Sequence, residues 1–71
     1  MSYNSKQFGI VISRLRTERG ISQERFSAMV GIARSHLTML ENAKKTARLD
    51  TFFHIAEALE MQPSELMQLI E

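Results

Sequence analysis

Apolar residues recur along the chain at helical spacing, in five separate stretches. Phe8, Val11, Ile12 and Leu15 stand at i, i+3, i+4 and i+7, which marks one face of a helix over about 6–19. Arg14, Arg16 and Arg19 fall largely off that face. Gly9 lies inside the stretch, where it costs about 1 kcal/mol relative to Ala or permits close packing. Gly20 and Gly31 sit between stretches, as helix-ending glycines do. Ser22 offers an N-cap oxygen to a second helix. The stripe of that helix is Phe26, Met29 and Val30. A third short helix over about 33–41 turns Leu37 and Leu40 inward, and the polar, basic segment 42–48 reads as a loop. A fourth helix over about 50–59 carries Phe52, Phe53, Ile55, Ala56 and Leu59 as its apolar set. Pro63 suits the first turn of a fifth helix, where its missing N–H is not needed. Leu66, Met67, Leu69 and Ile70 follow it. No segment keeps a period of two, so the prediction is an all-α fold of five helices with no strand.

Length narrows the picture. The 71 residues form one domain at most. A core this small supplies about 3–5 kcal/mol unless something else helps. Without cysteine there are no disulfides and no Cys-ligated metal. His36 and His54 do not make a four-ligand zinc site by themselves, so neither metal nor cofactor is expected. Oligomerisation remains as the common support for a domain of this size. No apolar run approaches the roughly 20 residues of a membrane span. The segment Met1-Ser2-Tyr3-Asn4-Ser5-Lys6 lacks the basic start and apolar run of a secretion signal, so a cytoplasmic protein is expected. The chain stops just after the fifth helix, which implies no separate ligand-binding or dimerisation domain.

Charge adds an asymmetry. All nine Lys and Arg lie in residues 1–48 against Glu18, Glu24 and Glu41, a surplus of six. Residues 49–71 hold five carboxylates, Asp50, Glu57, Glu60, Glu65 and Glu71, and no Lys or Arg. One reading is a polyanion-facing body with a separate acidic surface. The other is charge that only solvates exposed faces.

The informative stretch is Ser22 to Glu41. Two short helices flank a tight turn at Gly31, the pattern of a helix-turn-helix. The helices must cross closely, so one position must be small, and Ser27 is small. The turn needs a residue that tolerates positive φ, and Gly does so cheaply. Phe26, Val30, Ile32, Leu37 and Leu40 supply the inward residues.

Here the sequence resembles the phage repressor and Cro type of helix-turn-helix protein, the xenobiotic-response-element family. The resemblance runs from Ile12 to Met67. It rests on Leu15-Arg16-Thr17-Glu18-Arg19-Gly20-Ile21-Ser22-Gln23-Glu24, Gly31-Ile32-Ala33-Arg34-Ser35, Leu40-Glu41-Asn42, Leu49-Asp50-Thr51, Ile55-Ala56-Glu57-Ala58-Leu59 and Ser64-Glu65-Leu66, in that order. It implies a compact lambda-repressor-like domain over 1–71, with the motif at about 22–41. The implied partner is double-stranded DNA, with the helix over about 33–41 in the major groove.

The resemblance implies site residues as well. Arg34, Ser35, Thr38 and Met39 are the positions that reach base edges. A guanidinium such as Arg34 can bond both O6 and N7 of guanine; contact with a phosphate is the competing role. For Met39 the competing role is core packing. Gln23 corresponds to a glutamine that bonds a phosphate and braces the reading helix. Asn42, Lys44, Lys45, Thr46 and Arg48 correspond to a second phosphate clamp, and His36 is a further phosphate candidate. Arg14 and Arg16 either extend this surface or are solvated.

Several positions depart from the family pattern. Ala33 stands where a Ser or Thr N-cap is common, and its loss costs about 1 kcal/mol. Ala43 and Glu60 replace glycines, so positive φ at either would be strained. His36 and His54 carry no enzyme chemistry: no nucleophile turn, ligand spacing or carboxylate pair accompanies them. His54 is expected to be a partly buried residue of the fourth helix.

A homodimer would match a near-palindromic operator. The helix over about 63–70 is its expected dimerisation element. Leu69 and Ile70, with Met61 or Met67, are the candidate contacts, while Leu66 packs inward. Stand-alone relatives of this size resemble phage and plasmid regulators and restriction–modification controllers. Two other readings belong to different classes. One is an antitoxin that binds a toxin protein; the other is a helix-turn-helix kept only for protein contact. RNA polymerase is a further candidate partner of a regulator.

Overall fold

A computed structural model describes residues 4–71. Met1, Ser2 and Tyr3, the start of the segment read above as lacking a secretion signal, lie outside the described residues. Five helices follow in order: α1 (Ser5–Glu18), α2 (Gln23–Val30), α3 (Arg34–Glu41), α4 (Leu49–Ala58) and α5 (Pro63–Ile70). There is no strand among the described residues. No helix among them is long and apolar enough to cross a membrane.

Three of the five helices start where a side chain satisfies a first-turn N–H group. The Asn4 side chain accepts from the Gln7 N–H at 3.0 Å and opens α1. The Ser22 hydroxyl accepts from the Arg25 N–H at 3.1 Å and opens α2. Pro63 begins α5, and the Glu65 carboxylate accepts from the Gln62 N–H at 2.8 Å. Ala33 and Arg48 open α3 and α4 with no side-chain cap.

Four of the helices end alike. A left-handed residue follows each: Gly20 (φ 67), Gly31 (φ 87), Ala43 (φ 59) and Glu60 (φ 57). The next N–H then reaches back into the helix. Ile21 donates to the Arg16 carbonyl at 3.1 Å, Ile32 to Ser27 at 3.0 Å, Lys44 to Met39 at 2.8 Å and Met61 to Ala56 at 2.9 Å. At Ala43 and Glu60 the side chain makes this conformation cost about 1–2 kcal/mol. The chain keeps the turn geometry and accepts the strain.

Phe8, Val11, Ile12, Phe26, Val30, Leu37, Leu40, Phe52, Ile55, Ala56, Leu59, Leu66 and Ile70 form one buried cluster. Phe8 stacks on Phe52 with ring centroids 5.8 Å apart, joining α1 to α4. α1 packs on α3 and α5, α2 on α3 and α4, and α4 on α5.

Several positions differ from expectation. Met29 is 46% exposed, because Phe26, Ser27 and Val30 already cover the inner face of α2. Phe53 is 47% exposed, because Thr51, Phe52, Ile55 and Ala56 define the buried side of α4. His54 is exposed on the solvent side of the same helix, not partly buried. Ile70 is 1% exposed and belongs to the core, one turn beyond Leu66, so it leaves the candidate dimer surface.

Gly9 is the close-packing case. A Cβ there would stand 2.6 Å from the Glu41 carbonyl oxygen and 2.7 Å from that of Leu40. Both are backbone atoms at the end of α3, which do not swing aside. Gly9→Ala is therefore expected to destabilise the chain by about 1–3 kcal/mol, although Ala is the better helix former. Urea unfolding tests this; an unchanged or higher midpoint would show that α1 and α3 can separate at little cost.

Candidate nucleic-acid interface

α3 is fixed at both ends by different means. At its start, Gly31 turns the chain and Ala33 opens the helix. At its end, Glu41 enters a buried polar cluster. Arg16 Nε donates to Glu41 Oε2 at 2.8 Å, and Arg16 Nη2 donates to Glu41 Oε1 at 3.2 Å. Arg16 Nη1 donates to the Ile21 carbonyl at 2.8 Å. Gln23 Nε2 donates to Glu41 Oε1 at 2.9 Å. The Arg16 and Glu41 side chains are only 10% and 6% exposed. One carboxylate thus ties the end of α1, the α1–α2 turn and the start of α2 to the end of α3.

This cluster corrects the reading of Arg16, which is neither solvated nor part of a DNA surface. A signal for it was present. Arg16 stands four residues after Ile12 and eight after Phe8, on the same side of the helix as both. Glu41 and Arg16 were also missed as partners, since nothing local links residues 25 apart. Gln23 reaches α3 through Glu41, which agrees with a bracing role.

The outward side of α3 follows from its buried side. Leu37 and Leu40 are fully buried. By helical periodicity Ser35 and Met39 stand opposite them, with Thr38 beside them. Ser35 is exposed, and Met39 is 41% exposed, which removes it from the core. Thr38 is partly buried, and its hydroxyl donates back to the Arg34 carbonyl at 3.1 Å. Arg34 is the first residue of α3 and is exposed. His36 lies partly buried on the flank.

The basic loop leaves from the end of this helix. Ala43 reverses the chain, and the Lys44 N–H bonds the Met39 carbonyl. The loop backbone therefore starts against the last turn of α3. Asn42, Lys44, Lys45, Thr46 and Arg48 are all exposed. Arg48 Nε stands 3.8 Å from Asp50 Oδ1, with side chains 85% and 65% exposed, a pair too solvated to hold the arginine. Arg14 is exposed on α1.

The dimer candidates divide. Leu69 is 42% exposed, while Met61 and Met67 are partly buried against the core. The periodicity argument missed a second apolar pair. Leu49 and Phe53, one turn apart on α4, are 68% and 47% exposed.

A cluster-braced helix presented outward, beside a basic loop, is the arrangement of a helix-turn-helix DNA-binding domain. The helix-turn-helix family HTH_3 matches over residues 12–66, so the chain belongs to this Cro-type family of DNA-binding transcriptional regulators. It is 32% identical over 62 residues to the uncharacterized HTH-type transcriptional regulator y4dJ of Sinorhizobium fredii, covering 87% of this chain and 80% of that protein. The restriction-modification controller protein C.AhdI of Aeromonas hydrophila is similar at 32% identity with a TM-score of 0.83, over 87% of this chain and 94% of that one. The DNA-binding domain of the P22 c2 repressor shares the fold, with a TM-score of 0.82 at 22% identity over 90% of this chain and 84% of that one. A variant of the controller C.Esp1396I, bound to its highest affinity operator site, also shares it, with a TM-score of 0.85 at 18% identity over 99% and 92%.

Removing Glu41 leaves a guanidinium buried without its carboxylate, a change that costs about 3–5 kcal/mol in comparable sites. That equals the stability expected of so small a core, so Glu41→Ala should be about half unfolded or more by circular dichroism. Arg16→Met combined with Glu41→Leu removes both charges and should recover most of the loss. A folded Glu41→Ala would show that the cluster does not hold the helices together.

Proposed function

We propose that the chain is a transcriptional regulator that occupies a near-palindromic operator as a homodimer and inserts α3 into the DNA major groove. The observation that carries this reading is the outward side of α3, whose Ser35, Thr38 and Met39 are spared from the core while Leu37 and Leu40 anchor the helix. Arg34 bonds a guanine edge through its guanidinium. Ser35 bonds a base or a phosphate, and Thr38 and Met39 offer apolar contact to a thymine methyl group. Gln23, His36, Asn42, Lys44, Lys45, Thr46 and Arg48 bond phosphates, which position the protein without reading sequence. Similarity to C.AhdI, a restriction-modification controller, supports a regulator of this kind. Such a protein works in the cytoplasm, where the DNA is.

The dimer face lies on α4 and α5. Leu69 forms it, with Met61 and Met67 beneath. Leu49 and Phe53 extend it on α4, which packs on α5. The acidic residues of this half keep it away from phosphates. Two copies related by a two-fold axis then present two reading helices to two half-sites.

Two substitutions test the reading by quantitative DNA binding. Arg34→Ala is expected to weaken specific binding by about 1–3 kcal/mol and to relax preference at one base position. Unchanged preference would remove Arg34 from base reading. Joint replacement of Lys44 and Lys45 by Ala is expected to weaken binding to every sequence and to flatten its salt dependence, with preference kept. A native salt slope in that variant would show that the loop does not touch DNA.

A further inference from the structure

A cleft opens between α2 and α4 on the flank of α2 that faces away from α3. The opposite flank of α2 carries Gln23, which bonds Glu41 of α3. Its lining holds two cations from the α2 side, Arg19 before the helix and Arg25 on it, and two carboxylates from the end of α4, Glu57 and Glu60. Ile21, just before α2, and Met29, on α2 one turn after Arg25, also line it, and Met29 is 46% exposed.

Three of the four charged groups are placed against local preference. Arg25 is the third residue of α2, at the positive end of the helix dipole. Glu57 lies in the last turn of α4 and Glu60 just beyond it, at the negative end of that dipole. Glu60 also takes a positive φ of 57 that a glycine would adopt without strain. Only Arg19, after α1, sits where its helix favours it. Among the described residues the ion pairs are Arg16–Glu41 and Arg48–Asp50, so none of these four charges has a close partner of opposite sign. Breaches of several local rules at one place, around an exposed methionine, are the mark of a surface kept for binding.

We infer that this cleft docks a segment of a partner protein that places an apolar side chain on Met29, between an acidic group on Arg19 and Arg25 and a basic group on Glu57 and Glu60. The two charge pairs fix that order. DNA does not fit, because Glu57 and Glu60 repel phosphates. A second copy does not fit through the same face, because a groove offers no ridge to another groove. The cleft does not share the flank of α2 that braces α3, so a partner seated there leaves the reading helix uncovered. The inference does not depend on α3 reading DNA.

Selection from a random peptide library displayed on phage, on the full chain, tests it. Recovered peptides are expected to carry an acidic, an apolar and a basic residue in common. Synthetic copies should bind Arg25→Glu and Met29→Ser at least about tenfold more weakly than the native chain. Both positions are exposed, and circular dichroism checks that each variant folds. Peptides that bind both variants as well as the native chain would overturn the proposal, as would a selection that yields no shared pattern. Self-association lost in Arg25→Glu, read by sedimentation, would also overturn it and assign the cleft to a second copy.

Discussion

Three helices of this small domain meet at one carboxylate. Glu41 accepts from Arg16 Nε and Nη2 and from Gln23 Nε2, while Arg16 Nη1 reaches the Ile21 carbonyl. The bidentate geometry matters more than the charge alone, since a planar guanidinium fixes direction as well as distance. The cluster sits at the end of α3 opposite the end that starts at Arg34. It therefore sets the angle at which the outward side of α3 leaves the body. A buried pair of this kind is weak evidence for added stability, because desolvation offsets much of the attraction. Its value here is specification: with Gly9 admitting the backbone of Leu40 and Glu41 against α1, only one docking of α3 satisfies both contacts.

The parts legible in the sequence are those governed by local chemistry. Helix extents follow from apolar spacing, the Ser22 cap and the glycines at positions 20 and 31. The uncapped start at Ala33 follows from the same reasoning, whereas at Ala43 and Glu60 the sequence left open strained positive φ or another loop path, and the chain takes the positive φ. The outward side of α3 was equally legible, because Leu37 and Leu40 fix what must face away; a base-reading role for that side came from the family resemblance alone. What escaped is tertiary. Arg16 looks like a surface arginine until Glu41, 25 residues on, is placed beside it. Met29 and Phe53 fit apolar stripes, yet short helices bury only a narrow side, and their neighbours had already filled it. Ile70 reads as a surplus apolar residue at a terminus, but α1 and α4 leave room for it beneath α5. His54 followed the apolar company it keeps in sequence, not the side of α4 on which it stands.

The charge asymmetry has a structural meaning. The basic loop begins at the last turn of α3, so its cations gather beside the reading helix and not over the whole surface. The carboxylates of α4 and α5 lie in the other half of the chain, on the same two helices as the exposed Leu49, Phe53 and Leu69. A domain built this way has one side suited to a polyanion and another suited to protein. The proposed dimer belongs to the second side. Small size makes this division economical, because the same five helices that bury the core carry both surfaces.

The central claim is that α3, held by the Glu41 cluster, reads one DNA sequence in two symmetric copies. Selection of bound fragments from sheared genomic DNA of the source organism, at physiological salt, tests it most directly. The account predicts recovery of one near-palindromic motif whose half-sites lie about one helical turn apart, or a multiple of it. A folded chain that recovers no motif, or retains all fragments alike, would contradict it.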